Sequence, residues 1–239
     1  MMKTNTLISA IFTILIWLSS SHPVPDINIQ QAIELPMAEV HMNIDKQAEA
    51  LQSLGLSDIT DASIQSAKQS MESFPPEIRG SVDPLAMLIL CSSGGGDYNY
   101  ETREWTPTSS QIYSFDVEVY DIENMYSLFF QGIASINDHE FDITNVVEDM
   151  SDVNLETGQG KRKVSFLYNG HEQLFVANDD CDWFDVRIFD FMNDLFEQNG
   201  SAKKLYFFSD GGQECIVFFQ TDAWAKEFTA KTGYKLWTR

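Results

Sequence analysis

Basic residues are scarce in this chain. Fifteen lysines and arginines stand against 36 acids, a net charge of −21 over 239 residues with a pI near 4.3. Such a balance repels phosphate backbones, and no basic stripe offsets it, so no nucleic-acid partner is expected. Histidine and cysteine are scarce too. His22, His41, His139 and His171 are scattered among Cys91, Cys181 and Cys215, and no close pair of imidazole or thiolate ligands forms a zinc pattern. Three cysteines cannot all pair within one chain. Cys181–Cys215 is the one bridge to consider, and a small buried apolar thiol is the alternative for each. "LILC" before Ser92 resembles a lipidated leader only superficially, because Cys91 lies far from the N-terminus behind a bulky Leu90.

No apolar run reaches the ~20 residues that a bilayer span needs. The nearest is "LISAIFTILIWL", twelve uncharged residues after Lys3, followed by the small residues of "SSSH". Basic start, short apolar centre and small exit are the layout of a secretory signal. Residues 1–21 therefore read as a signal peptide or, if uncleaved, an N-terminal anchor. The expectation is an exported protein (secreted, periplasmic or cell-surface) that meets a membrane only through that segment. Prolines number seven, and three fall within 22–44, a stretch without clear period that reads as a linker.

What is present begins with helices over 45–91. "DKQAEALQSLG" ends at Gly55. A second helix has Ser57 and Asp58 as candidate caps, places Ile64, Ala67, Met71 and Phe74 at helical spacing, and stops at Pro75–Pro76. "DPLAMLILC" pairs an aspartate cap with proline at the first helical position and looks wholly buried. Residues 92–110 read as a polar loop. In "IYSFDVEVY" the alternation of Tyr113, Phe115, Val117 and Val119 with Ser114, Asp116 and Glu118 marks a half-buried strand. Asp121 is the candidate cap of a helix striped by Met125, Leu128, Phe129, Ile133 and Ile136. A strand "EFDITNVV" and an acidic connection follow. Asn169–Gly170 then carries the strongest hairpin signal in the chain, and Asp210–Gly211–Gly212 marks a second hairpin. A closing helix runs from a Thr221 or Asp222 cap to Gly233. The order β-α-β-β-β-α-β-β-α from 111 implies an α+β domain over 111–239: a mostly antiparallel, hairpin-built sheet with helices packed on one face, behind a small helical N-terminal region.

The stretch "NDDCDWFD", Asn178 to Asp185, is the obvious place to look for chemistry. Asn178, Asp180 and Asp182 have the first three spacings of a calcium loop, but Trp183 stands where glycine is needed and Phe189 where the bidentate glutamate belongs. Cys181 has three flanking aspartates that disfavour a thiolate. Phe184, Ile188, Phe191 and Leu195 recur on one helical face, so the expectation is a helix with Asp182 at its N-cap and Asp185 in its first turn. "SSGGGD" lacks the lysine of a phosphate cradle, and "SDGGQ" lacks the helix of a nucleophile elbow. Paired carboxylates cannot be picked out by sequence among so many acids. No catalytic, cofactor-binding or metal-binding residue is assigned, and no cofactor is expected.

Four aromatic residues, Tyr98, Tyr100, Trp105 and Trp183, stand in loops or at a helix start. With Asp179 and Asp180 they are the candidate partner-binding residues, since exposed rings beside acids suit a protein interface. The reading is a non-enzymatic acidic binding module for a basic protein, an inhibitor or immunity-type protein being one form. A cleft hydrolase using two carboxylates and a structural component of a cell-envelope assembly are the alternatives.

Overall fold

The computed structural model describes residues 43–92, 96–209 and 212–238. The expected signal segment and nearly all of the linker lie outside them. Among the described residues four helices come first: α1 (Ile44–Ser53), α2 (Asp61–Ser73), α3 (Pro76–Arg79) and α4 (Pro84–Leu90). α2 is capped by Thr60 in a reciprocal box with Ser63, not by Ser57 or Asp58. Asp58 instead accepts from the Ser109 hydroxyl at 2.6 Å, which anchors the helical region to the chain ahead of the first long strand. α4 starts as expected: Asp83 accepts from the Leu85 and Ala86 amides behind Pro84, and all five residues from Leu85 to Ile89 are buried.

The expected polar loop carries a β-hairpin, β1 (Asp97–Asn99) with β2 (Glu104–Thr106), in which Tyr98 faces Trp105 across the pair. Beyond it come β3 (Tyr113–Asp116), α5 (Met125–Ser135), β4 (Ile143–Asn154), β5 (Gln159–Tyr168), β6 (His171–Asn178), α6 (Ile188–Gln198), β7 (Lys203–Ser209), β8 (Glu214–Thr221) and α7 (Asp222–Thr232). The α+β class and the element order from 111 stand as the pattern implies. β4 is longer than expected, because the acidic "EDMSDVN" continues the strand. The Asn169–Gly170 turn has both residues at positive φ, 50° and 79°, as a tight hairpin of this type requires.

All pairings are antiparallel, in three separate sheets: β1-β2, β3-β8-β7 and β4-β5-β6. The β3-β8-β7 sheet is buried on both faces. Tyr206, Phe208, Ile216 and Phe218 meet α1, α2, α4 and α7 on one side. Leu205, Cys215, Val217 and Phe219 meet α5 and α6 on the other. This double burial explains Ser114, which lies in the polar phase of β3 yet is buried. α5 and α6 in turn lie between two sheets. Phe129 touches Phe115 of the central sheet, while its neighbour Phe130 touches Phe166 of β5. Phe189 stacks on Phe207 of β7, while Phe191 meets Phe166 and Phe175 of the outer sheet. Helices therefore cover one face of the outer sheet and both faces of the central one. The far face of the outer sheet is open, with Val147, Leu174 and Val176 exposed.

Candidate interaction surface

The aspartate-rich stretch does not start a helix. α6 begins at Ile188, its N-cap position is Arg187, and no side chain caps it. The chain from 182 to 184 is instead extended against 117–119: the Val119 amide donates to the Asp182 carbonyl at 2.7 Å and the Phe184 amide to the Val117 carbonyl at 2.8 Å. Phe184 is thereby drawn into the core against Phe115 and Tyr126. The helical spacing of Phe184 with Ile188 is thus a coincidence of two buried elements. Asp185 accepts from the amides of Asn178 and Arg187 and pairs with the Arg187 guanidinium, and so organises the turn ahead of the helix.

Asp179 faces inward. Its carboxylate lies 3.4 Å from Nη2 of Arg162, and Nη1 of the same guanidinium reaches Glu148 at 3.1 Å and the Ile122 carbonyl at 2.6 Å. All three charged side chains are at most 3% exposed. Glu148 uses its other oxygen on the Tyr126 and Ser127 amides and the Ser127 hydroxyl, capping α5 from β4. Asp121, the expected cap, instead accepts from Asn124 and Tyr98. The cluster ties β4, β5, the 179 turn and the start of α5 together. A buried side chain offers nothing to a partner, so the expectation for Asp179 is corrected: it is structural. Among the described residues Asp179 Oδ2 has no hydrogen-bond partner.

The remaining candidates divide by exposure. Trp105 turns toward the core, edge-on to Tyr113 at 5.7 Å. A Cβ on Gly96 (φ 70°) would lie 2.4 Å from the Trp105 indole, so the hairpin closes over this ring only with glycine there. Tyr98 is half-buried and donates to Asp121 Oδ2 at 2.7 Å. Tyr100 is 67% exposed and packs edge-on to Tyr98 at 5.0 Å and to Tyr120 at 5.3 Å; Tyr120 is 81% exposed. Trp183 is half-buried on the segment bridged to Glu118, and Asp180 is exposed nearby. The structure thus brings Tyr98 and Tyr100 together, and joins the Trp183 segment to the strand continuation that ends in Tyr120. Sequence reasoning passed over Tyr120 and Glu123 and took Asp121 for a helix cap. A signal for Tyr120 did exist, since it follows Ser114, Asp116 and Glu118 in the polar phase of the alternation.

Seven acids and one basic residue, Arg103, lie between 97 and 123. Arg103 has a left-handed backbone (φ 58°), with its guanidinium 2.6 Å from Glu123 and 3.9 Å from Asp121. Burial pushes the Asp121 carboxyl up, but the Tyr98 hydroxyl, Asn124 and the Arg103 charge outweigh it and hold the group below its ordinary value. The Tyr98 phenol is pushed up to about 12, by burial first and then by the Asp121 carboxylate it donates to. The tyrosine on this surface stays neutral and the carboxylate stays charged.

Elsewhere chemistry is sparse. No disulfide joins the described cysteines. Burial and then Asp182, Asp180 and Asp179 push the Cys181 thiol up, the reverse of an activated nucleophile. Among the described residues no group of three or more His, Cys, Asp or Glu side chains is placed to hold a metal ion. A cleft of about 380 Å³ between α5 and β4 has no ionisable lining. Another, of about 430 Å³, is lined by Asp138, His139 and Lys203, with Lys203 paired to Glu140 at 2.6 Å. Lys203 also lies 3.6 Å from Asp138, so the two carboxylates at this cleft converge on one ammonium. No protein-family model matches the chain, and no curated protein or solved structure matches it.

Proposed function

We propose that the protein is an exported, non-enzymatic binding module that engages a basic protein through the face formed by Tyr98, Tyr100 and Tyr120 and their carboxylate neighbours. The observation that carries this reading is the pair of rings at Tyr100 and Tyr120, left in solvent inside the acid-rich 97–123 region. Tyrosine contributes contact area at low entropic cost, and a negative rim steers a positive partner and fixes its register. An inhibitor or immunity-type protein that neutralises a basic toxin or enzyme has these requirements. The hydrolase alternative is the weaker reading: Glu148 and Asp179 converge in the interior on Arg162, and Asp138 with Glu140 and Asp121 with Glu123 are likewise held by a cation, Lys203 and Arg103 respectively.

The test is affinity capture from the secreted proteins of the native host at low and high salt. A basic protein held at low salt and released at high salt is the expected result. If no basic protein is retained at either salt, the reading fails.

A further inference from the structure

We infer that the tyrosine face is a seat for a guanidinium: an arginine on an exposed segment of the partner stacks on Tyr100 and Tyr120 and competes with Arg103 for Glu123. This rests on the reading of the protein as a module for a basic partner, and it specifies which cation and which residues.

Two features of the surface select an arginine. Tyr100 and Tyr120 are in edge-to-face contact, with an interplanar angle of 82°, so each leaves part of its electron-rich face to solvent. A guanidinium is flat, weakly hydrated and able to lie on such a face while its fork reaches a carboxylate, whereas an ammonium is compact and holds its water. One exposed carboxylate stands in the same region, Glu123, three residues after Tyr120, whereas Asp121 is buried and held by Tyr98 and Asn124. A second copy of this chain is the wrong occupant, since −21 would meet −21.

Arg103 shows that Glu123 accepts a guanidinium. It is the lone basic residue of the region, it reaches Glu123 and lies near Asp121, and its side chain remains 56% exposed. An exposed ion pair of this kind is worth little, so exchanging it for a partner's arginine that also covers two rings is favourable. Its left-handed backbone is one that asparagine tolerates well. Arg103→Asn therefore keeps the hairpin and vacates Glu123.

The experiment titrates a tetra-arginine peptide and a tetra-lysine peptide against the full chain, with Tyr and Trp fluorescence as the readout. Tetra-arginine is expected to bind several-fold more tightly than tetra-lysine. Replacing both exposed rings, Tyr100→Ala with Tyr120→Ala, weakens tetra-arginine by about tenfold and brings the two peptides together. Arg103→Asn strengthens tetra-arginine several-fold, which a merely structural Arg103 would not do. Circular dichroism confirms that each variant is folded. Equal affinity for the two peptides in the parent protein overturns the inference, as does unchanged tetra-arginine binding in the double tyrosine variant. So does weaker binding in Arg103→Asn. These failures leave capture of a native basic protein intact, so they are distinguishable from failure of the broader reading.

Discussion

Single side chains in this protein are held by buried charge as much as by apolar contact. Arg162 is 1% exposed between two carboxylates, a carbonyl and the Tyr126 ring. Removing the guanidinium alone strands two buried anions, which costs far more than the pair contributes against an apolar substitute. Arg162→Met is expected to lose about 3–5 kcal/mol in urea unfolding. The triple variant that adds Glu148→Gln and Asp179→Asn recovers a large share of that loss. A triple variant no more stable than the single one would show that packing, not stranded charge, sets the cost. Gly132 tests packing separately: a Cβ there would sit 2.2 Å from the Tyr113 ring, between helix and central sheet. Gly132→Ala is expected to destabilise by about 1–3 kcal/mol, seen as a lower urea midpoint.

At the scale of elements, two helices that look alike in sequence begin differently. Thr221 caps α7 by accepting from the Trp224 amide at 3.2 Å, and Gly233 ends that helix at φ 81°. Thr221→Ala is therefore expected to cost about 1 kcal/mol. Asp182 caps nothing, and Asp182→Ala is expected to stay within about 0.5 kcal/mol of the parent; a loss as large as that of Thr221→Ala would contradict the start of α6 at Ile188. The order of elements was legible because alternation, Asn169–Gly170 and the Pro84 and Thr221 starts are local signals that the structure obeys. The start of α6 was not, because pairing of 182–184 with 117–119 is a contact between chain segments more than 60 residues apart, and the sequence period cannot register it. The β1-β2 hairpin was hidden for a related reason: its strands are three residues each, below the length at which alternation can be read. Of the surface, the rings at Tyr98 and Tyr100 were legible as aromatics in a polar stretch. Trp105 looked the same in sequence, and only its contacts with Tyr113 and Gly96, distant or irregular in the chain pattern, show that it turns inward.

For the whole molecule, six tyrosines share one electrostatic property. Tyr98, Tyr113, Tyr126, Tyr168, Tyr206 and Tyr234 are all raised above their ordinary value of 10.0, with burial the first cause in each. In the unfolded chain these phenols lose their protons near pH 10, while the folded protein holds them to higher pH. The unfolded state then binds fewer protons, so stability is unaffected below the unfolded value and falls as pH rises through it. Urea midpoints are expected to be flat near pH 8, to begin to fall at about pH 9 as the Cys91 and Cys181 thiols, also raised by burial, ionise in the unfolded chain, and to drop steeply by about pH 11. A flat profile across that interval would show that the phenols titrate alike in both states.

The surface account rests on the rings themselves rather than on net charge. The direct measurement is the affinity of the captured native partner for three proteins: the parent, the Tyr100→Ala/Tyr120→Ala variant, and a Glu49→Gln/Glu72→Gln variant that removes two exposed charges from the N-terminal helical layer. Loss of about tenfold with the tyrosine variant and little change with the glutamate variant is the predicted result. Equal affinity for the parent and the tyrosine variant, with weakening confined to the glutamate variant, would contradict it.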